Sequence, residues 1–528
     1  MTYTSVLFLF VLLPISVLLY QLVPQRHRWK VLLLISYLFF YSISGKLLGY
    51  LLLSTISMYY FGLWLGKCKT DYNEQRRTSE NKKALKVSYG KKKFRILWLG
   101  MIMQIAILVV LKYSQFFCGN INEVLKAFSS PVLIPKIKFI VPIGISFYTL
   151  QVLSYLLDIY YQKIEPDRNL GRLALYLSFF PTILEGPICR YSQTAVVLHQ
   201  GNSVTYKNFT YGSQRILWGL FKNFIIADRL NMLVERVFDK PIAHYGGVVI
   251  IVASVLYTFQ LYANFSGSID ITIGVGEIFG VTIPENFRQP FFSKTASEFW
   301  RRWHITLGTW LKDYIFYPIS LTKFVKNLGK DSKAKFGKHM GQIIPSSIAL
   351  FGVWTCNGLW HGTGWQYIFY GMYYFVLILL GNTFEPWIHN LMDTLKIKRE
   401  SIPYRTVQTI KMLVIIFIGE LFFRAKSLSS GLKMFGSIFT EFRWSTFTDG
   451  SLLRLGLTNH DYVAVLFGLI AMLIVSILHE KGISIRDKIA GWNIYYRWGF
   501  FYATIMIIII LGAYGDVYIP PKLIYAGF

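Results

Sequence analysis

Two histidines each follow a tryptophan inside apolar, aromatic-rich sequence. His304 lies in SEFWRRWHITLGTWLKDYIFYP (Ser297–Pro318) and His361 lies in NGLWHGTGW. Neutral imidazole is a good general base for a hydroxyl because its ordinary pKa is close to the operating pH. Read at helical spacing, Trp300, Trp303, His304, Leu307, Trp310 and Leu311 fall on one stripe, with Arg301, Arg302 and Lys312 off it. A lone histidine on such a stripe is more often a satisfied core residue. Two of them, each preceded by tryptophan and each at membrane depth, are functional candidates, because ionisable groups are costly there. Asn357 stands four residues before His361, on the same face of a helix that continues so far, where it could orient the imidazole or donate to an oxyanion. Trp360 flanks the second histidine. Asp313, beside Tyr314, has two readings: a partner for Arg301 or Lys312, and an interfacial anchor. There is no GxxxxGK[ST], GxSxG or HExxH, which argues against an ATPase, a soluble-type serine hydrolase and a zinc peptidase. No metal-ligand spacing is present, and the four cysteines stand alone without a CxxC.

These groups need elements to hold them. Of 528 residues, 54% are hydrophobic and 17% aromatic, and apolar runs recur from end to end without a Pro/Gly/Ser-rich linker. The chain therefore reads as one all-α polytopic membrane domain, residues 1–528. The runs Val6–Leu22, Val31–Trp64 (long enough for two spans), Ile96–Phe117, Phe139–Tyr161, Val248–Tyr262, Ile343–Thr355, Tyr367–Leu380, Leu413–Phe423, Val463–Leu478 and Phe500–Leu511 predict about eleven transmembrane helices. The first run has its positive charge after it, in RHRWK, the reverse of a secretory signal, so it reads as an uncleaved span with the N-terminus outside.

A net charge of +28 first suggests nucleic acid, but its distribution argues otherwise. Lys67–Arg95 carries eleven Lys/Arg against Asp71, Glu74 and Glu80, and Leu321–His339 holds six lysines against one aspartate. Both read as cytoplasmic loops between spans. Three spans from an outside N-terminus reach the same side independently. The stretch LSFFPTILEGPICRY, residues 177–191, is apolar but broken by Pro181, Gly186 and Pro187. Broken backbone at membrane depth needs protein or a water-filled cavity around it, so this reads as a re-entrant piece with Glu185 and Arg190 lining a cavity; an interfacial loop is the alternative.

Taken together, EFWRRWHITLGTWLKDYIFYP and NGLWHGTGWQYIFYG resemble the paired signatures of the membrane-bound O-acyltransferase family, in its bacterial polysaccharide branch. VPIGISFYTLQ, FFPTILEGPICRY, GLFKNFIIADRL, NFSGSIDITIG and LFFRAKSL extend the likeness over about Lys112 to Lys426. The resemblance implies short and re-entrant helices around an outer funnel that meets a tunnel from the cytoplasm. It implies that His361 is the essential histidine and His304 the second one. It further implies an acetyl group taken from a cytoplasmic thioester (acetyl-CoA or an acyl carrier protein), no permanently bound cofactor, and a plasma-membrane location. The acceptor would be an extracytoplasmic polysaccharide, or an SGNH-type partner acyltransferase that completes the transfer. In this scheme His361 takes the hydroxyl's proton while His304, with Asn357, stabilises the oxyanion. Asn264, Ser268, Glu185 and the closing IYAGF depart from the usual pattern of that branch. D-alanyl transfer to teichoic acid is a rival within the class. A transporter with a histidine proton relay is a rival outside it, but no second copy of either histidine block gives the inverted repeat that it would require.

Overall fold

A computed structural model describes residues 2–130, 132–135, 137–239, 245–515 and 518, and the closing IYAGF lies outside them. The regular structure among the described residues is helical, with no strand and one isolated bridge, Phe287 with Trp303. Among the described residues, eight helices are long and apolar enough to cross a membrane: Gln25–Thr78, Lys82–Ala127, Gly247–Ile278, Lys323–His361, Trp365–Thr394, Ile402–Arg424, Asn459–Glu480 and Ile494–Leu511. The chain is thus an all-α, multi-pass membrane protein. The expected count of about eleven takes the bent Gln25–Thr78 as two helices and adds two shorter ones, Phe8–Leu22 and Ile145–Tyr160. The bend falls at Gly45, whose φ of 53° suits glycine, and it puts Lys46 at the junction of two helices with its side chain exposed.

The chain divides into two compact units, one built on Met1–Ser213 with Thr272–Pro284, the other on Gln214–Ile271 with Glu285–Lys522. In the first, the basic segment expected to be a loop is instead a helical hairpin. Leu48–Thr78 and Lys82–Leu108 run well past their apolar parts and turn at residues 79–81, where Asn81 caps the second helix by accepting from the Ala84 N–H at 3.0 Å. Lys, Arg, Gln and Glu are good helix formers, so charge ends the apolar run without ending the helix. Leu321–His339 behaves the same way. Its lysines lie mostly on the opening turns of Lys323–His361, which is broken at Gly337.

Residues 179–190 are the non-helical stretch expected from the prolines, and all of them are buried. Helix Leu170–Ser178 ends there, and side chains from elsewhere in the unit take up the freed backbone groups. Tyr3 Oη donates to the Phe180 carbonyl at 3.0 Å, Ser36 Oγ accepts from the Phe180 N–H at 3.1 Å, and Tyr176 Oη donates to the Cys189 carbonyl at 2.8 Å. Irregular backbone can lie at membrane depth only with such partners. Glu185 and Arg190 are buried within this stretch, 1% and 8% exposed.

Both basic segments carry exposed positions suited to a topology test, Glu80 and Lys333. Cysteines placed at 80 and 333 are expected to react with a membrane-impermeant maleimide only after the cells are permeabilised. Labelling of either in intact cells would overturn the orientation read from the lysine and arginine bias.

Candidate active site

The second unit holds both histidines. The segment around His304 is not one helix, and the stripe read from its spacing is not a helix face. Ala296–Arg302 is helical and capped by Thr295, whose Oγ1 accepts from the Glu298 N–H at 3.1 Å. The chain then leaves the helix. Trp303 is extended (φ −107°, ψ 130°), His304 is left-handed (φ 47°, ψ 50°), and a new helix runs Ile305–Leu311. Trp303 packs on Phe299, Phe287 and Tyr262, whereas Trp300 packs on Trp354 and Tyr374. Nothing local in RRWHIT forbids a continuous helix. The break is imposed by the distant segment PENFR.

Its residues Asn286, Phe287 and Arg288 pair with the break. The Arg288 N–H donates to the Arg302 carbonyl at 2.9 Å, Phe287 bridges Trp303, and the Asn286 carbonyl accepts from the Ile305 N–H at 3.0 Å. Asn286 Oδ1 accepts from the Thr306 N–H at 3.0 Å and lies 2.9 Å from Thr306 Oγ1. One residue thereby serves the first two orphan N–H groups of helix Ile305–Leu311. A left-handed histidine costs roughly 1–2 kcal/mol, and these hydrogen bonds hold it in place.

His304 is fully buried, its ring edge-on to Phe265 (centroids 4.9 Å apart), with Nδ1 3.3 Å from Asn286 Oδ1. His361 ends helix Lys323–His361 and is 3% exposed, against Phe423 and Tyr370. Trp360 joins the two: its ring is edge-on to both, with centroids 5.3 Å from His304 and 5.0 Å from His361. Asn357 is buried one turn before His361 on the same helix, and its Oδ1 accepts no hydrogen bond among the described residues. The two histidines, Trp360, Asn357, Trp300 and Trp303 thus belong to one aromatic cluster and the backbone around it.

Other expected members lie elsewhere. Asp313 is half-buried in the wide helical turn Lys312–Phe316. Glu185 and Arg190 belong to the first unit. Gly362 follows His361 directly, where a glycine could serve a close backbone approach. At Gly362 the space is already taken, since a Cβ there would stand 2.2 Å from the Tyr367 ring, so its smallness serves that packing.

Several members were not anticipated. Glu420, 1% exposed, accepts from Tyr370 Oη at 3.0 Å, and Tyr370 in turn lies against His361. A lone carboxylate in the apolar run Leu413–Phe423 was its sequence signal. Asn286, within PENF, is the other. Tyr262 and Phe287, which pack on Trp303, also line a cavity of about 720 Å³ together with Arg288 and Arg486. Its wall also holds an ion network in which Lys222 is buried and Asp270 and Arg215 are largely shielded. Asp270 bridges Arg215 (2.9 Å) and Lys222 (2.6 Å), and Arg215 also reaches Glu285 at 2.6 Å. The blocks GLFKNFIIADRL, NFSGSIDITIG and PENF, far apart in sequence, meet there.

Residues 161–330 match the model of the membrane-bound O-acyltransferase family. The chain is 31% identical over 454 residues to the Pseudomonas aeruginosa protein named Probable alginate O-acetylase AlgI, covering 84% of this chain and 76% of that one. It is 28% identical over 466 residues to the peptidoglycan O-acetyltransferase of Helicobacter pylori, covering 82% and 78%. Against the teichoic acid D-alanyltransferase of Bacillus subtilis it is 31% identical over 262 residues, covering 46% and 60%.

Proposed function

The chain belongs to the membrane-bound O-acyltransferase family and is a multi-pass membrane acyltransferase; from this premise we propose that it carries acetyl groups across the membrane to a cell-envelope polysaccharide. The donor is a cytoplasmic thioester, acetyl-CoA or an acyl carrier protein. The acceptor is a hydroxyl of the polysaccharide itself or of an SGNH-type partner that completes the transfer. The hydroxyl oxygen attacks the thioester carbonyl and its proton passes to an imidazole. The carbon–sulfur bond then breaks, and the thiolate leaves with that proton. His361 is the base by its motif, and His304 is the second imidazole of the site.

The observation that carries this reading is the pair of buried histidines packed on one indole at the end of helix Lys323–His361. Closed among aromatic rings, the pair suits a reaction in which water must not compete for the thioester. The cavity lined by Tyr262 and Phe287 supports an approach for the donor, with Arg288 in its lining as a cation for phosphate groups. Acetyl is favoured over D-alanyl because the likeness to the acetylating relatives covers 84% and 82% of the chain, against 46% for the D-alanyl one.

Cells with and without the protein, fed isotope-labelled acetate, provide the test. One envelope polymer is expected to lose ester-bound label when the protein is absent, as read by mass spectrometry of each purified polymer. Unchanged labelling of every polymer, with unmodified solute crossing vesicles that contain the purified protein, would instead establish a transporter.

A further inference from the structure

We infer that Asn286 is the positioning residue of His304, fixing it as the tautomer that carries its proton on Nδ1 and offers a lone pair at Nε2. The inference rests on the reading that the two histidines form the acyl-transfer site. One donor here has a role that cannot change. The Thr306 backbone N–H can only donate, and it donates to Asn286 Oδ1 at 3.0 Å. That side-chain atom is therefore an acceptor, and the amide cannot be turned the other way without setting an NH₂ against an N–H. His304 Nδ1 lies 3.3 Å from the same oxygen. An imidazole nitrogen facing an acceptor carries the hydrogen, and in neutral imidazole the other nitrogen then has the lone pair.

The clamp leaves the ring little choice. The Asn286 main chain and side chain hold Ile305 and Thr306, the bridge of Phe287 holds Trp303, and the left-handed backbone of His304 sits between them. Phe265 and Trp360 close on the ring edge-on. Ring orientation and tautomer are thus set by one asparagine remote in sequence, as an outer partner sets the tautomer of a catalytic or ligating histidine elsewhere. The consequence runs against the role expected for His304. In its neutral form its Nε2 accepts a proton or a hydrogen bond, and it does not serve as the donor of an oxyanion hole.

The test uses the full-length protein in detergent, with its nine histidines labelled with ¹⁵N and the His304 resonances identified by their loss in His304→Gln. The wild type is expected to show a protonated Nδ1 and a bare Nε2 at His304. Asn286→Leu, which keeps the bulk and removes the acceptor, is expected to shift that signal toward the other tautomer. It should also lower kcat by about 10²- to 10⁴-fold per folded protein with KM little changed. Asn286→Asp retains an acceptor oxygen and is expected to keep the tautomer and recover much of kcat. An Nδ1–H signal that persists in Asn286→Leu overturns the inference, and so does failure of Asn286→Asp to recover more activity than Asn286→Leu. The resonance is read without any reaction, so failure of the acyl-transfer reading would leave the tautomer result standing and be recognised as separate.

Discussion

Replacing His361 with alanine is expected to leave a folded, membrane-inserted protein whose acyl transfer is about 10²- to 10⁴-fold slower, at or below detection in most assays. The size of the effect follows from where the proton must go. A sugar or serine hydroxyl is a weak nucleophile until its proton is taken, and a base must stand within hydrogen-bond reach to take it. His361 has the chemistry, and it is the last residue of helix Lys323–His361, held by that element. Its loss also has a packing cost. The imidazole touches Trp360, Phe423 and Tyr370, and the void left by alanine would cost roughly 2–3 kcal/mol. Activity is therefore to be expressed per folded protein, with a thermal melt beside each rate. His304→Ala is expected to behave alike, with kcat reduced and KM retained. Near wild-type turnover by folded His361→Ala protein would remove the base from this mechanism.

How much of this could be read from the chain depends on the range of the forces involved. The spans were legible because burial in hydrocarbon demands long apolar runs, which are local in sequence. His304 and His361 stood out because an ionisable group in such a run is costly and uncommon. The buried break at residues 179–190 was legible from Pro181, Gly186 and Pro187, which act through their own backbone. The break at Trp303 and His304 was not. No glycine or proline marks it, and its cause is Asn286, which reaches it through hydrogen bonds that no periodicity records. Tertiary pairing there overrides a helical pattern that was locally sound. The helical hairpin of Lys67–Arg95 is hidden for the opposite reason: its charge suggests a loop, although those residue types favour helix. Glu420 was visible in the sequence as a single acid in an apolar run, but its meaning depends on Tyr370, which stands fifty residues away.

The ion network beside the cavity leads to an expectation of a different kind, a loss of the fold and not of the chemistry. Asp270 is 13% exposed at its side chain and faces two cations, Arg215 at 15% and Lys222 at 4%. Asp270→Ala would leave both with Glu285 as the remaining carboxylate of the network. Breaking a buried pair by removing one partner costs roughly 3–5 kcal/mol, because the charge left behind has lost its compensation. Asp270→Ala is therefore expected to give little folded protein on fluorescence-detected size exclusion and a sharply lowered melting temperature. The double variant Lys222→Met, Asp270→Leu removes a cation and an anion together and leaves Arg215 on Glu285, where its two donors lie 2.6 and 2.5 Å from the carboxylate oxygens. It is expected to be more stable than Asp270→Ala alone, the non-additivity expected of coupled charges. If the double variant were instead less stable than the single one by the full cost of Lys222→Met, the network would not be a compensated charge cluster. If Asp270→Ala melted like the wild type but transferred poorly per folded protein, Asp270 would have to act on the substrate and its assignment to the scaffold would be wrong.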